Sequence, residues 1–120
     1  MILADSNLLI YAVAQNAALV DWFAENKPAV SAISLVEVLG YHKLNPADKS
    51  ALEALFSELT ILYPSAEVFQ TAVSLRQQKA MSLGDALIAG TALYHNFQLA
   101  THNTKDFTWI DSLTVIDPFE

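Results

Sequence analysis

Met1-Ile2-Leu3-Ala4-Asp5-Ser6-Asn7-Leu8-Leu9 contains a change of period that decides the fold. The first four residues make an apolar run of strand length that stops at Asp5; Leu8, Leu9, Ala12 and Val13 then recur at helical spacing. Strand, turn, helix is the simplest reading, with a carboxylate at the strand's end. The alternation continues downstream. Ala17 to Asn26 reads as a second helix, Pro28-Ala29-Val30-Ser31 as a second strand, and Ser34 to about His42 as a third helix. Asn45-Pro46 opens a fourth helix, with Asn45 as N-cap, Pro46 at N1 and Asp48 at N3; its apolar face carries Leu52, Leu55, Phe56 and Leu59. Thr60 to Tyr63 is a third strand, Pro64-Ser65 starts a helix to about Lys79, and Ser82 starts another to about Asn96. Phe97 to Thr101 and Leu113 to Ile116 are the fourth and fifth strands, the last ended by Asp117-Pro118.

Short strands alternating with helices predict an α/β domain of three layers, a parallel sheet of about five strands covered on both faces. Ligands in such folds bind at the carboxyl ends of the strands, near a topological switch point. Asp5 and Asn103 lie just past two such ends. No repeat, low-complexity tract or linker interrupts the pattern, and 3 Gly and 4 Pro are too few for flexible joints. Residues 1–120 therefore read as a single domain.

With no cysteine, thiolate zinc sites, thiol nucleophiles and a disulfide-stapled scaffold are all excluded. Hydrophobic residues make up 53% of the chain and charged residues 16%, with a mean hydropathy of +0.32. That composition excludes disorder. It also leaves more apolar material than a small domain hides alone, so a second copy or a partner chain is expected to cover part of the surface. No stretch approaches the roughly 18 consecutive apolar residues of a membrane span, and the first 26 residues carry no Lys or Arg. No membrane association is expected, and the chain reads as cytoplasmic.

A net charge of −7, from 13 acids against 6 bases, argues against nucleic-acid binding through a generally basic surface. It is compatible with a nuclease whose carboxylates gather around a cation. Each acid also has an ordinary reading. Asp5 or Ser6 caps the helix that follows. Glu37 lies three residues after Ser34, and Asp85 three after Ser82, both fitting a Ser N-cap with an acid at N3. Yet small residues share their faces: Gly40 beyond Glu37, and Ala89 and Ala92 beyond Asp85. Small residues there let another backbone come close, which an assembled site needs and a surface cap does not. Asp106, in Thr101-His102-Asn103-Thr104-Lys105-Asp106-Phe107, reads alone as a loop acid, and Asn103 as a turn residue. Neither a histidine zinc site nor a glycine-flanked nucleophile elbow is present.

Taken together, four blocks resemble the PIN-domain nucleases, and especially the VapC-type toxins of toxin–antitoxin pairs. The blocks are Leu3-Ala4-Asp5-Ser6-Asn7, Ser34-Leu35-Val36-Glu37, Leu83-Gly84-Asp85-Ala86-Leu87-Ile88-Ala89, and Thr101-His102-Asn103-Thr104-Lys105-Asp106-Phe107. The resemblance implies that Asp5, Glu37 and Asp85 bind divalent metal and take part in catalysis. The fourth acid falls either at Asn103 or, when that position is Asn, at Asp106, and this chain follows the second pattern. Ser6, Asn7, Thr101 and Asn103 would orient the ligands. His102 is a departure, since the toxins this chain resembles often have Arg there. The implied activity is an endoribonuclease using one or two Mg²⁺ or Mn²⁺ ions, and the implied partners are RNA, an antitoxin and a second copy of the chain.

Hard cations with oxygen ligands suit such an acid set. Lys43, Lys79, Lys105 and Arg76 are the bases expected near the active edge to contact phosphate, while Lys27 and Lys49 fall elsewhere. Two other readings compete. A phosphatase of the haloacid dehalogenase type needs a second Asp two residues after the first, where this chain has Asn7. A PIN-like fold kept only for binding would have little reason to retain such mutually repelling acids.

Overall fold

The computed structural model describes residues 1–14 and 16–120. Five short parallel strands form one sheet in the order β3-β2-β1-β4-β5: β1 (Ile2–Ala4), β2 (Ala29–Ser31), β3 (Thr60–Leu62), β4 (Gln98–Ala100) and β5 (Val115–Ile116). The chain runs outward from β1 to β3, then crosses back to lay β4 on the other side of β1. The switch point is thus the β1–β4 junction, where Ala4 pairs with Ala100.

Successive strand residues point to opposite faces, and each face has its own core. Ala4, Val30 and Ala100 pack beneath α1 (Ser6–Val13), α2 (Ala17–Asn26) and α4 (Pro46–Ser57), with Leu8, Leu9, Phe23, Leu52 and Phe56. Leu3, Ala29 and Leu99 face the other way, toward α5 (Ala66–Gln78) and α6 (Leu83–His95), with Leu75, Ile88 and Phe107. Gly90 lets these two helices meet closely, since a Cβ there would lie 3.0 Å from the Val68 carbonyl oxygen. The expected three-layer architecture is therefore present.

Asn45 caps α4 by accepting from the Asp48 amide at 2.8 Å, and Ser82 caps α6 by accepting from the Asp85 amide at 3.1 Å. The third helix differs from expectation. Its cap is Ser31, which accepts from the Ile33 amide, and it makes one α-turn, α3 (Ala32–Ser34), before widening into a π-turn over Leu35–Leu39. Ser34 lies inside the helix and caps nothing. The last strand also starts later than predicted, because Leu113 is drawn into the core beside Ile110 and Phe107.

The apolar surplus is visible on the surface. Val36, Tyr63, Val73 and Leu83 are each more than half exposed. No helix among the described residues is long and apolar enough to cross a membrane.

Candidate functional site

At the switch point the carboxyl end of β1 delivers Asp5 and that of β4 delivers Thr101. Asp5 is only 5% exposed and Thr101 fully buried. The Thr101 hydroxyl donates to Asp5 Oδ2 at 2.8 Å, while Asp5 Oδ1 accepts from the Ser6 amide at 2.8 Å. Asp5 thus caps α1 and also presents a carboxylate at the sheet's crevice; both readings of this residue hold. Thr101 Oγ1 further accepts from the Asn103 amide at 3.0 Å, and Asn7 Nδ2 stands 3.5 Å from it.

The π-turn brings in Glu37. Ser6 donates to Glu37 Oε1 at 2.8 Å, and its oxygen lies 2.7 Å from the Ser34 hydroxyl. Ser6 therefore links the start of α1 to the element that carries the second acid. π-turns are frequent at functional sites. The close approach here is made by Gly84: a Cβ at that position would overlap Glu37 Oε2. Gly40 plays no such part, as the atoms nearest it belong to Val36 of its own turn. Ala89 and Ala92 pack into the sheet core.

Asp85, in the first turn of α6, and Asp106, in the short 3₁₀ turn Thr104–Asp106, line one recess of about 210 Å³ with Ser82, Lys79, Lys105 and Trp109. Lys79 reaches over the Trp109 ring, its Nζ 5.6 Å from the centroid. Lys43 lines the neighbouring groove that Glu37 borders. Arg76 faces a separate groove between α5 and α6, where its Nε donates to the Met81 carbonyl at 3.2 Å.

The charges of the four acids reach one another. Burial pushes the Asp5 carboxyl from an ordinary 3.8 up to about 6; the bonds from Thr101 and Ser6 pull against the rise, and the like charges of Asp85 and Glu37 add to it. Asp85 is raised as well, by burial first and then by the charges of Asp106 and Glu37, against a bond from Ser82. Among the described residues the one contact between a basic and an acidic side chain is His102 Nδ1 to Asp117 Oδ2 at 3.2 Å, so none of the four acids has a basic partner within 4.0 Å. Nor, among the described residues, do any three acidic or imidazole groups stand close enough to hold one ion as they are. The four acids come from four elements: Asp85 and Asp106 share one recess, Glu37 borders the next groove, and Asp5 lies buried at the switch point, within reach of the charges of Glu37 and Asp85.

Sequence reasoning missed Ser34, whose contact with Ser6 spans 28 positions and has no local signal. It also passed over Gly84 as a contact point. The glycine between Leu83 and the acid was the available clue.

Gly84→Ala gives a local test. Gly84 is the second residue of α6, so an added methyl favours the helix by at most about 1 kcal/mol on helix propensity, and the atom it displaces is the end of a flexible side chain. Melting temperature is expected to hold or rise while the Glu37 carboxylate is pushed aside, so any activity that needs this carboxylate in place should fall. Loss of stability and activity together would instead indicate a general packing defect.

Comparison with known proteins agrees with this geometry. The PIN-domain family model matches residues 2–112. A chain of a toxin–antitoxin complex from Klebsiella pneumoniae is 30% identical, the match covering 100% of this chain and 99% of that one at a TM-score of 0.80. A chain of VapBC2 from Rickettsia felis, solved bound to a promoter DNA fragment, is 27% identical over 98% of each chain, with a TM-score of 0.82. A chain of VapBC-1 from nontypeable Haemophilus influenzae is 25% identical over 100% of each, again at 0.82. No curated protein sequence matches. A parallel sheet with an acid at its switch point, and a family match running from β1 to beyond Ile110, lead to one assignment: the chain belongs to the PIN-domain family.

Proposed function

We propose that this chain is a Mg²⁺- or Mn²⁺-dependent endoribonuclease, the toxin of a VapBC-like toxin–antitoxin pair, with Asp5, Glu37, Asp85 and Asp106 as metal-binding and catalytic residues. The observation that carries this reading is the buried, unpaired Asp5 carboxylate at the β1–β4 switch point, within the field of Glu37 and Asp85. Taking such a charge from water is costly unless a counter-charge meets it. The donors facing the crevice are hard oxygens, which fit Mg²⁺ or Mn²⁺. The buried Asn7 Oδ1, which has no hydrogen-bond partner, adds an unsatisfied acceptor beside it.

When bound, the ion supplies Lewis-acid activation of water and phosphate. The protein's own groups do the rest. Thr101 holds Asp5 in one rotamer, Ser6 fixes Glu37, and Ser82 positions Asp85 at the helix start. Asn7 and Asn103 steady Thr101 in turn. Lys79 and Lys105, which line the recess with Asp85 and Asp106, would offset the charge of the scissile phosphate, and Lys43 and Arg76 lie farther along the surface. Two divalent ions would cancel about four of the negative charges, so the −7 total is no obstacle to an RNA substrate.

The partner reading rests on the solved relatives, which come from toxin–antitoxin complexes, and on the exposed apolar side chains. An antitoxin and a second copy of the chain would cover them.

The test is cleavage of cellular RNA with Mg²⁺, with Mn²⁺ and with EDTA, the new ends mapped by sequencing. Cuts at discrete positions that appear only with metal support the reading. An intact RNA pool under all three conditions would reject it.

A further inference from the structure

Three aromatic rings cluster one residue beyond Thr101, the group that donates to Asp5, and no role assigned so far involves them. His102 follows Thr101 directly; Tyr11 sits one turn along α1 from Asn7, on the same face; Phe119 lies beyond β5. The Tyr11 ring stands edge-on to both others, with centroids 5.6 Å from His102 and 5.5 Å from Phe119. The His102 and Phe119 centroids are 4.5 Å apart. Asp117 holds the group together: its Oδ2 is 3.2 Å from His102 Nδ1, and its Oδ1 accepts from the Phe119 amide at 2.9 Å. Each ring keeps part of its surface open: Tyr11 and Phe119 are 40% and 41% exposed, and the His102 side chain is 44% exposed. Such a fastened, half-open aromatic cluster is an arranged surface.

We propose that Tyr11, His102 and Phe119 form a stacking platform for an unpaired RNA base next to the scissile phosphate, with Asp117 as its positioning residue. The proposal rests on the ribonuclease reading and says where that site draws its affinity. Proteins that bind single strands combine backbone cations with aromatic faces on which bases stack. Here cations are scarce, with 6 Lys plus Arg against 13 acids, and only Lys79 and Lys105 line the recess. Stacking is the contribution left to hold the strand, and the platform is one residue from the group bonded to Asp5.

The test uses a short single-stranded RNA carrying the fluorescent base 2-aminopurine, bound in EDTA so that the strand stays intact. The parent protein should quench the fluorophore at one position. Tyr11→Leu with Phe119→Leu should weaken binding about ten-fold and abolish the quench, with melting temperature nearly unchanged because both rings are half exposed. Asp117→Asn should weaken the quench in part, and Tyr11→Phe should preserve it. With only two cations at the strand, log affinity should fall against log salt with a slope no steeper than about −2. With Mn²⁺ present, the double variant should raise KM and largely spare kcat.

No quench by the parent, or an unchanged quench in the double variant, overturns the platform. It is equally overturned if the double substitution spares RNA and loosens a co-purified antitoxin, since the rings would then be a protein contact. Metal-dependent cleavage without any quench leaves the nuclease standing and removes the platform. Quench without cleavage does the reverse.

Discussion

Asp5→Asn and Asp85→Asn are each expected to cleave RNA about a hundred-fold or more slowly than the parent at saturating Mn²⁺, with the fold retained. The size follows from where these groups sit. Replacing a residue that merely supports a ligand costs roughly 10–100-fold in metal affinity or activity, so losing a ligand should cost at least the upper end of that range. Thr101→Val gives the internal comparison. It removes the 2.8 Å bond to Asp5 Oδ2 without touching the carboxylate, so its defect should be smaller than that of Asp5→Asn. Initial rates over a metal titration would separate the two, because a supporting residue's defect should be partly recovered at high metal. A Thr101→Val variant as inactive as Asp5→Asn at every metal concentration would mean that Thr101 acts on the substrate directly.

Without divalent metal, the folded state should lose stability as pH rises from about 4 to about 7. Asp5 titrates near 3.8 when unfolded and near 6 when folded. Between those values the native state holds a proton that the unfolded chain has released, so stability falls with rising pH. A rise of that size corresponds to about 3 kcal/mol at most, and the raised Asp85 adds to it in the same direction. The sign is opposite to that of an ion-paired carboxylate. Asp5→Asn removes the main cause while keeping an oxygen for the Ser6 amide, so the variant should melt higher than the parent at pH 7.5 and show a flatter profile. Mn²⁺ should raise the parent's melting temperature at neutral pH and leave that of the variant nearly unchanged. Melting curves in EDTA across this pH range, repeated with metal, check every part of the expectation. A parent that grows more stable from pH 4 to 7 would contradict the assigned burial of Asp5.

Inactivation and stabilisation by the same substitution are what an acidic site built against its own repulsion should show. They also explain why the alternation of strands and helices was easier to read than the site. β1, the caps at Asn45 and Ser82, and the position of Asp5 depend on local period and local hydrogen bonds, which adjacent residues display. The third helix depends on tertiary contacts. Ser34 had the spacing of a cap for Glu37, but its hydroxyl is met by Ser6 from across the crevice, and Ser31 takes the cap instead. The π-turn that results has no composition of its own. Asp117 had a local role, ending β5 before Pro118, that concealed its bonds to His102 and Phe119. Of the expected phosphate contacts, Lys79 and Lys105 reach the acidic recess, whereas Arg76 turns toward Met81 because the loop after α5 folds back on it.

If Asp5, Glu37, Asp85 and Asp106 together hold a divalent cation, titrating the metal-free protein with Mn²⁺ and following binding by electron paramagnetic resonance will show it. Saturable binding of one or two ions is expected in the parent, lost or greatly weakened in both Asp5→Asn and Asp85→Asn. No saturable site in the parent, or an undiminished one in both variants, would contradict it.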